Sequence, residues 1–236
     1  MKSWLVVAVV GCGAPASPVS VADRFARGDE PTLHEPSTSK LTFPTQRGRV
    51  WIAAAGSPIV FELIDAGHPI AVIGDVRDGE LNAFRIYRDS LHAHPTLQTP
   101  VSTDVMRGGA NDAALVAIAN QSWAGMNAHS GAQTMASAAE GYTLDDFAAP
   151  KILDRAGTEE MVDRFLHAVE NFHVTSSVQF AAGNDVISEN VETMVLQGKP
   201  ITLHALDIKH IEGGRVVAEW QYADGGEIQR AMAGSP

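Results

Sequence analysis

Several things are scarce in this chain of 236 residues, and each scarcity excludes a class of protein. A single cysteine allows neither an intrachain disulfide nor a zinc site built on several cysteines. Basic residues number 17 against 28 acidic ones, and the net charge of −11 disfavours nucleic acid or an anionic membrane held by basic patches. No phosphate-binding glycine motif and no low-complexity segment occurs. What remains has the ordinary composition of a globular protein long enough to bury a core.

The one cysteine lies in an informative place. The chain opens MKSWLVVAVVGCGAPASP, with a positive charge at Lys2 and an apolar run from Trp4 to Val10 that is too short to span a bilayer. The letters VVGC resemble a bacterial lipobox, whose cysteine is lipidated and becomes the mature N-terminus. We therefore expect residues 1–22 to be a lipoprotein-type signal and tether, lipidated at Cys12, on an extracytoplasmic protein whose only contact with a bacterial membrane is this anchor. The alternative is a buried first strand with a structural cysteine, in a cytoplasmic protein.

Two segments follow the tether, 23–97 and 104–230, with a loop rich in Thr, Pro, Ser and Gly between them. A repeat relates the two segments at an offset of 135 residues, where RDGELNAFRIYRDS in the first aligns with EGGRVVAEWQYADG in the second. Both stretches indicate a turn followed by a strand, and both come after an apolar run. We interpret them as the same closing hairpin used twice.

The second segment predicts helices followed by strands. Asn111 or Asp112 is expected to cap a first helix and Thr158 a second, whereas 141–149 indicates a short acidic turn or helix. Four strands are expected after the helices, at 173–180, 184–196, 200–211 and 215–223. This order predicts an α+β fold in which helices pack on one face of a curved antiparallel sheet.

An acid lies in the middle of one of these strands, at Asp207 in ITLHALDIKHI. If Gly213-Gly214 forms a two-residue turn, Asp207 lies opposite Trp220 and Ala205 lies opposite Tyr222. Because side chains alternate between faces, one face then carries Leu203, Ala205, Asp207, Trp220 and Tyr222. Desolvation there would raise the pKa of the Asp207 carboxyl and suit it to hydrogen-bond donation or general acid chemistry. The alternative is a partly wet face on which Asp207 makes a structural hydrogen bond.

The ending GKPITLHALDIKHIEGGRVVAEWQYAD, the acidic motif at 145–147 and the helix at 158–172 resemble the SnoaL-like branch of the nuclear transport factor 2-like superfamily. That superfamily includes polyketide cyclases and ketosteroid isomerases. The resemblance, strong over about 104–230, implies a cone-like sheet wrapped by helices around a blind apolar pocket, in tandem with a degenerate, shortened half-domain over 23–97. It also implies a homodimer, since open sheets of this family commonly pair face to face.

By this resemblance, Asp207 takes the position of an acid/base or of a protonated oxyanion donor. The pocket would be lined by Trp123, Phe165, Leu203, Ala205, Trp220 and Tyr222. The chain departs from the isomerase pattern in two places: Ala149 and Lys151 stand where the proton-abstracting carboxylate is expected, and Trp123 stands where the isomerases place a tyrosine. The first segment has Val72 at the position of Asp207, so we expect no catalysis there.

Two functions are compatible with these residues. The first is a small-ligand-binding or accessory protein for an apolar molecule, which the missing base favours. The second is a SnoaL-like cyclase or isomerase that acts on a ketone or an ester with Asp207 as the acid/base. Neither requires a cofactor. His92 and His94 offer two metal ligands without an evident third, so no metal site is expected, and His204 and His210 are expected on the face opposite Asp207.

Overall fold

The computed structural model describes residues 21–23, 25, 32–33, 46–65, 68–77, 80–88, 104–146 and 151–233. The predicted lipidation site Cys12 lies outside the described residues, and so do His92 and His94. Within the described ranges, no helix is long and apolar enough to cross a membrane.

A first six-stranded sheet precedes the helical part of the chain. Its strands are β1 (Thr32–Leu33), β2 (Gln46–Ile52), β3 (Ile59–Asp65), β4 (His68–Arg77), β5 (Glu80–Arg88) and β6 (Val105–Arg107). Strands β2 to β5 form an antiparallel meander. The short β1 and β6 pair in parallel with β5 and β2, respectively, and lie at the two edges.

The second sheet also has six strands and carries helices on one face. In chain order its elements are α1 (Asp112–Asn127), α2 (Gly131–Thr134), β7 (Ala138–Asp146), β8 (Leu153–Asp154), α3 (Arg155–Ala168), β9 (Glu170–Ala182), β10 (Asp185–Leu196), β11 (Lys199–Glu212), β12 (Arg215–Ala223) and α4 (Gly225–Ala233). Strands β9 to β12 form an antiparallel meander, and β7 joins β12 in parallel. The predicted α+β class and the four predicted strands are confirmed.

Two local predictions were wrong. Helix α3 begins at Arg155, because the Asp154 side chain caps it by accepting a hydrogen bond of 2.8 Å from the Gly157 N–H. Thr158, the predicted cap, lies one turn inside the helix and donates its hydroxyl to the Asp154 carbonyl. The stretch expected to be a turn or helix at 141–149 belongs mostly to strand β7, whose backbone pairs with β12.

The closing hairpin corrects the predicted neighbours of Asp207. It turns at Gly213-Gly214 with Glu212 opposite Arg215, as predicted, but a bulge at Val217 then shifts the register of β12 by one residue. Asp207 therefore lies opposite Gln221. Because a shift of one residue reverses the face of every later side chain, Trp220 and Tyr222 point away from Asp207.

The two sheets pack face to face through an apolar layer. The first sheet contributes Trp51, Ala53, Val60, Ala71, Ile73 and Tyr87, and the second contributes Phe180, Ala182, Ile187, Leu206, Ile208 and Tyr222. We call this face of the second sheet its outer face. The outer face of the second sheet is thus covered by the first sheet of the same chain.

Polar contacts also cross this layer, among them the Arg85–Glu189 ion pair. The Tyr222 hydroxyl donates to Glu62, which also binds Arg49, and the Tyr87 hydroxyl donates to Glu189, which also binds Arg85. In addition, the Trp51 indole N–H donates a hydrogen bond of 2.7 Å to Asp185, whose other oxygen contacts His210. Each buried acid at this layer therefore has partners on both sheets, as a buried charge requires.

Helices α1 and α3 cover the opposite, inner face of the second sheet. Their apolar side chains join two clusters with the sheet, one around Ala119, Met135 and Val186, the other around Met126, Val162 and Met194. Helix α1 packs closely on α2 at Gly125, where a Cβ atom would lie 2.1 Å from the Thr134 nitrogen. Helices therefore cover the inner face, and the side chains that this face presents lie between the sheet and the helices.

Candidate active site

A band of polar side chains crosses the inner face between the two apolar clusters. Because side chains alternate along each strand, neighbouring strands present these groups together: Tyr142 from β7, Ser188, Asn190 and Glu192 from β10, Asp207 and Lys209 from β11, and Glu219 and Gln221 from β12. Several of them line a cavity of about 70 Å³ under α1 and α3. The structure thus assembles an ionisable cluster in an enclosed space.

Asp207 is completely buried in this cluster. Its Oδ2 accepts a hydrogen bond from the Asn190 amide, and no described residue makes a hydrogen bond to its Oδ1. Burial raises the pKa of Asp207 well above its ordinary value, the nearby Lys209 opposes this, and the negative charges of Glu219 and Glu192 add to it. Since Oδ2 is an acceptor, the proton of neutral Asp207 belongs on Oδ1, which makes this atom a donor without a protein acceptor.

Lys209 does not neutralise Asp207, because it is bound to another acid. Its ammonium group donates to Glu219, which also accepts a hydrogen bond of 2.8 Å from the Tyr142 hydroxyl. The ammonium lies 4.1 Å from the centre of the Trp123 ring, a cation–π contact. Lys209 is the only lysine or arginine among the described residues that line this cavity. Because it is paired with Glu219, Asp207 and Glu192 have no counter-charge of their own.

Trp123 adds a second donor to the same cavity. Its indole Nε1 is buried and has no hydrogen-bond partner among the described residues, and Trp123 lines the 70 Å³ cavity together with Asp207. Burying a polar group without a partner costs free energy. Because both residues line one small cavity, their unpartnered atoms indicate a place for an acceptor oxygen that the described residues do not supply.

A larger cavity of about 230 Å³ adjoins the first. Its apolar lining is formed by Met126, Met161, Val162, Phe165, Leu203, Ala205, Ala223 and Ile228. The ionisable side chains at its border are Asp146, Glu192, His204, Asp224 and Glu227, and no lysine or arginine is among the described residues that line it. This space suits the apolar part of a molecule whose polar group reaches toward Asp207.

The structure separates the residues predicted to form the pocket into two groups. Trp123, Phe165, Leu203 and Ala205 line one or other of the two cavities, and Asp207 lies at the smaller one. Trp220 and Tyr222 do not, because the bulge places them on the outer face. His210 also lies on that side, bound to Asp185, whereas His204 lies at the border of the larger cavity beside Glu227.

Four ionisable residues at the smaller cavity were missed: Tyr142, Glu192, Lys209 and Glu219. A signal for one of them was present, because Ser188, Asn190 and Glu192 occupy every second position of a predicted strand and therefore share one face. Such a row indicates a polar stripe on one face. The position of Lys209, two residues after Asp207, places it on the same face by the same rule.

No protein-family model matches the chain, and the comparison with curated proteins finds no significant relative. Solved structures do resemble it over about half its length. One is a hypothetical protein from Catenulispora acidiphila with a ketosteroid isomerase-like fold, in complex with trimethylamine (22% identity, 52% of this chain and 93% of that one, TM-score 0.44). Another is IdmH, a putative polyketide cyclase from Streptomyces antibioticus (13% identity, 50% and 98% covered, TM-score 0.47).

A third is an LEH-like epoxide hydrolase from M. tuberculosis (11% identity, 53% of this chain and 94% of that one, TM-score 0.47). At such identities the likeness concerns the fold alone, and the site is inferred from its own geometry. The proteins that this chain resembles in structure are of the nuclear transport factor 2-like superfamily, the one indicated by the ending of the sequence.

Proposed function

We propose that the chain is an acid–base enzyme of the isomerase or cyclase type, acting on a ketone or an ester. The observation that carries this proposal is the pair of unpartnered polar atoms at one cavity, Asp207 Oδ1 and Trp123 Nε1. Both are hydrogen-bond donors when Asp207 is protonated. A carbonyl oxygen is an acceptor that gains negative charge when the adjacent carbon loses a proton, and donors held ready for that charge accelerate the reaction.

The surroundings of Asp207 support this role. The carboxyl is buried, its pKa is raised by that burial, and Asn190 holds its other oxygen in place. The Lys209 ammonium is bound to Glu219, and its charge opposes but does not outweigh the effect of burial on the pKa of Asp207. Trp123 would take the part that a tyrosine plays in the isomerases, with an N–H in place of the phenol.

A non-catalytic ligand-binding role is the second candidate. The larger cavity favours it, because its lining is mostly apolar and its volume of about 230 Å³ suits a small molecule. In that case Asp207 and Trp123 would only orient a carbonyl or hydroxyl group.

The deciding experiment measures proton exchange next to a carbonyl. The full chain is incubated in D₂O with cyclohexanone, 1-tetralone or methyl levulinate, and loss of the α-proton signal is followed by NMR. We expect exchange above the buffer rate, with a decrease of about 10²–10⁴-fold in Asp207→Asn, the range typical of a lost general acid or base. The rate should fall less in Trp123→Phe, because Trp123 supplies only a hydrogen bond whereas Asp207 can also transfer a proton.

The matched control is Glu160→Gln on the exposed side of α3, where the glutamate side chain is 71% exposed. It should exchange like the wild type. Exchange at the buffer rate in the wild type, with methyl levulinate nevertheless bound, would reject catalysis in favour of the ligand-binding role.

A further inference from the structure

The smaller and the larger cavity are two parts of one site. Five residues line both of them: Met126, Met161, Val162, Glu192 and Gln221. Four of these are uncharged. Glu192 is the exception, and it stands at the junction between the chamber that holds Asp207 and Trp123 and the chamber with the apolar walls.

Glu192 is unusual in lacking a partner. It is 8% exposed, and none of the residues that the structure describes makes a hydrogen bond or an ion pair with its carboxyl group. The other glutamates buried within the described ranges, Glu62 and Glu189, are each held by an arginine and a tyrosine. A buried carboxyl is ordinarily paired, so one left free beside a cavity is a functional candidate.

We propose that Glu192 is the base of this site, and that the substrate is an uncharged carbonyl compound whose apolar part occupies the larger cavity. The inference rests on the proposed function, since it supplies the proton acceptor that the donors Asp207 and Trp123 require. The sequence suggests no base after the acidic motif, where Ala149 and Lys151 stand. Strand β10 offers one instead, on the same sheet face as Asp207.

The chemistry balances within the site. The Glu192 carboxylate takes a proton from the carbon next to the carbonyl, and the C–H electron pair forms the carbon–carbon double bond. The carbonyl π pair moves onto oxygen, which takes hydrogen bonds or the proton from Asp207 and a hydrogen bond from Trp123. Where the enol is conjugated with a further double bond, Glu192 returns its proton to the far carbon and the oxygen returns its proton to Asp207, which gives isomerisation. Where the enol carbon attacks a second carbonyl, the oxygen of that carbonyl takes the proton from Glu192 and the first oxygen returns its proton to Asp207, which gives cyclisation. Neither outcome needs an oxidant or a reductant.

The charge of the lining selects the substrate. The larger cavity is lined by Asp146, Glu192, Asp224 and Glu227, and His204 is the only one of its described lining residues that can become cationic. Arg230, which is not among those lining residues, pairs with Asp224. An anionic substrate would bring a further negative charge into a poorly solvated space next to these acids. A neutral ketone or ester carries no such penalty.

Glu192 must be ionised to act, which predicts a pH profile. Burial raises its pKa to about 7, the Asp146 charge adds to this, and Lys209 opposes it. Asp207, Glu219, Asp224, Glu227 and His204 also face the two cavities, whereas α1 and α3 present only uncharged side chains there. Exchange should therefore increase as pH rises through about 7, where Glu192 loses its proton.

The experiment compares Glu192→Gln, Glu192→Asp and the control Glu160→Gln in the NMR exchange assay from pH 5 to 9. We expect Glu192→Gln to lose about 10²–10⁴-fold with methyl levulinate and to lose the rise near pH 7. Glu192→Asp should recover part of the rate, because it keeps the carboxylate. Levulinate, the anionic counterpart, should exchange at least ten times more slowly than its methyl ester in the wild type.

Each outcome decides one claim. A Glu192→Gln variant that exchanges like the wild type, while Asp207→Asn does not, would overturn the base assignment and leave the proposed function standing. A wild type that exchanges levulinate as fast as the ester would overturn the substrate class. Exchange at the buffer rate in the wild type would reject the proposed function and, with it, the assignment of Glu192 as the base. Circular dichroism of each variant confirms that a lost rate is not a lost fold.

Discussion

The two sheets of this chain have the same plan and different inner faces. Each is a four-stranded antiparallel meander with a further strand parallel to the last one, β1 beside β5 and β7 beside β12. Strands β5 and β12 have nine residues each and lie at the repeat offset of 135. The structure thus supports the tandem arrangement that the repeated hairpin predicted.

The interface positions of the two sheets match across this offset. Tyr87 and Tyr222 are equivalent, and each donates its hydroxyl to a glutamate on the other sheet. Those glutamates are equivalent as well, because Glu62 pairs with Ala71 and Glu189 pairs with Leu206, again 135 residues on. The interface is therefore reciprocal, as in a symmetric dimer made within one chain.

The pocket positions do not match. Where the second sheet has Asp207, Lys209, Glu219 and Gln221, the first has Val72, Gly74, Phe84 and Ile86. Three of these, Val72, Phe84 and Ile86, belong to an apolar cluster that includes the helical residues Val21, Ala22 and Phe25. The packing surface is therefore common to both halves, whereas the ionisable cluster lies on the second sheet.

The largest change in stability is expected when residues are exchanged between the two halves. Val72→Asp puts an unpartnered carboxyl into a fully apolar cluster, and we expect a loss of about 4 kcal/mol or more in the free energy of unfolding. Asp207→Val relieves a buried carboxyl but deprives the Asn190 amide of its acceptor, so its stability should change by less than about 2 kcal/mol. Urea unfolding of both variants measures this, and equal losses would refute the distinction between the halves.

Substitution of the two interface glutamates is expected to cause the next largest loss of stability. Glu62→Gln leaves the Arg49 charge, whose side chain is 12% exposed, without a counter-ion, and should cost about 3–5 kcal/mol. Glu189→Gln leaves Arg85, whose side chain is 46% exposed and stays hydrated, and should cost about 1 kcal/mol. Thermal and urea unfolding compare them. A similar cost at both sites would mean that the reciprocal contacts are energetically equivalent despite their unequal burial.

The third prediction concerns the stability of the pocket half against pH. The pKa of Glu192 is raised from 4.5 to about 7 in the folded state, so between these values the folded protein keeps a proton that the unfolded chain has lost. The free energy of unfolding then falls as pH rises through this window. The Glu192→Gln variant lacks that decline. Its free energy of unfolding should equal that of the wild type below about pH 4 and exceed it by up to about 3 kcal/mol above pH 7.

Urea unfolding at pH 4, 5.5, 7 and 8 tests this, with Glu160→Gln as a control that should not depart from the wild type. A constant difference between Glu192→Gln and the wild type at all four pH values would show that the Glu192 pKa is not shifted by folding.

The sequence predicted the strands because their apolar patterns are long and their turns contain glycine. It failed at the bulge, where one extra residue, Val217, changed the face of Trp220 and Tyr222. A bulge depends on the twist that the strand adopts against its neighbours, here β11 and β7, and a pairing rule counted from the turn contains no such information.

The site was predicted only in part for a related reason. Asp207 was visible as an acid among apolar residues, and Trp123 by its position on the first helix. Glu192 and Glu219 were not recognised, because their approach to Asp207 depends on the register of three strands and not on spacing along the chain. The resemblance implied a base in the segment after the acidic motif, whereas Glu192 lies on β10.

The smallest expected effect tests whether the reciprocal interface is balanced. Tyr222→Phe and Tyr87→Phe each remove one hydroxyl that donates to a buried glutamate. Each glutamate keeps its arginine, so the loss is that of one hydrogen bond to a charged acceptor, about 1–3 kcal/mol. Tyr222 is fully buried and Tyr87 is 8% exposed, so water can replace the lost hydroxyl more readily at Glu189. Urea unfolding should therefore show the larger loss for Tyr222→Phe, and additive losses in the double variant would show that the two contacts act independently.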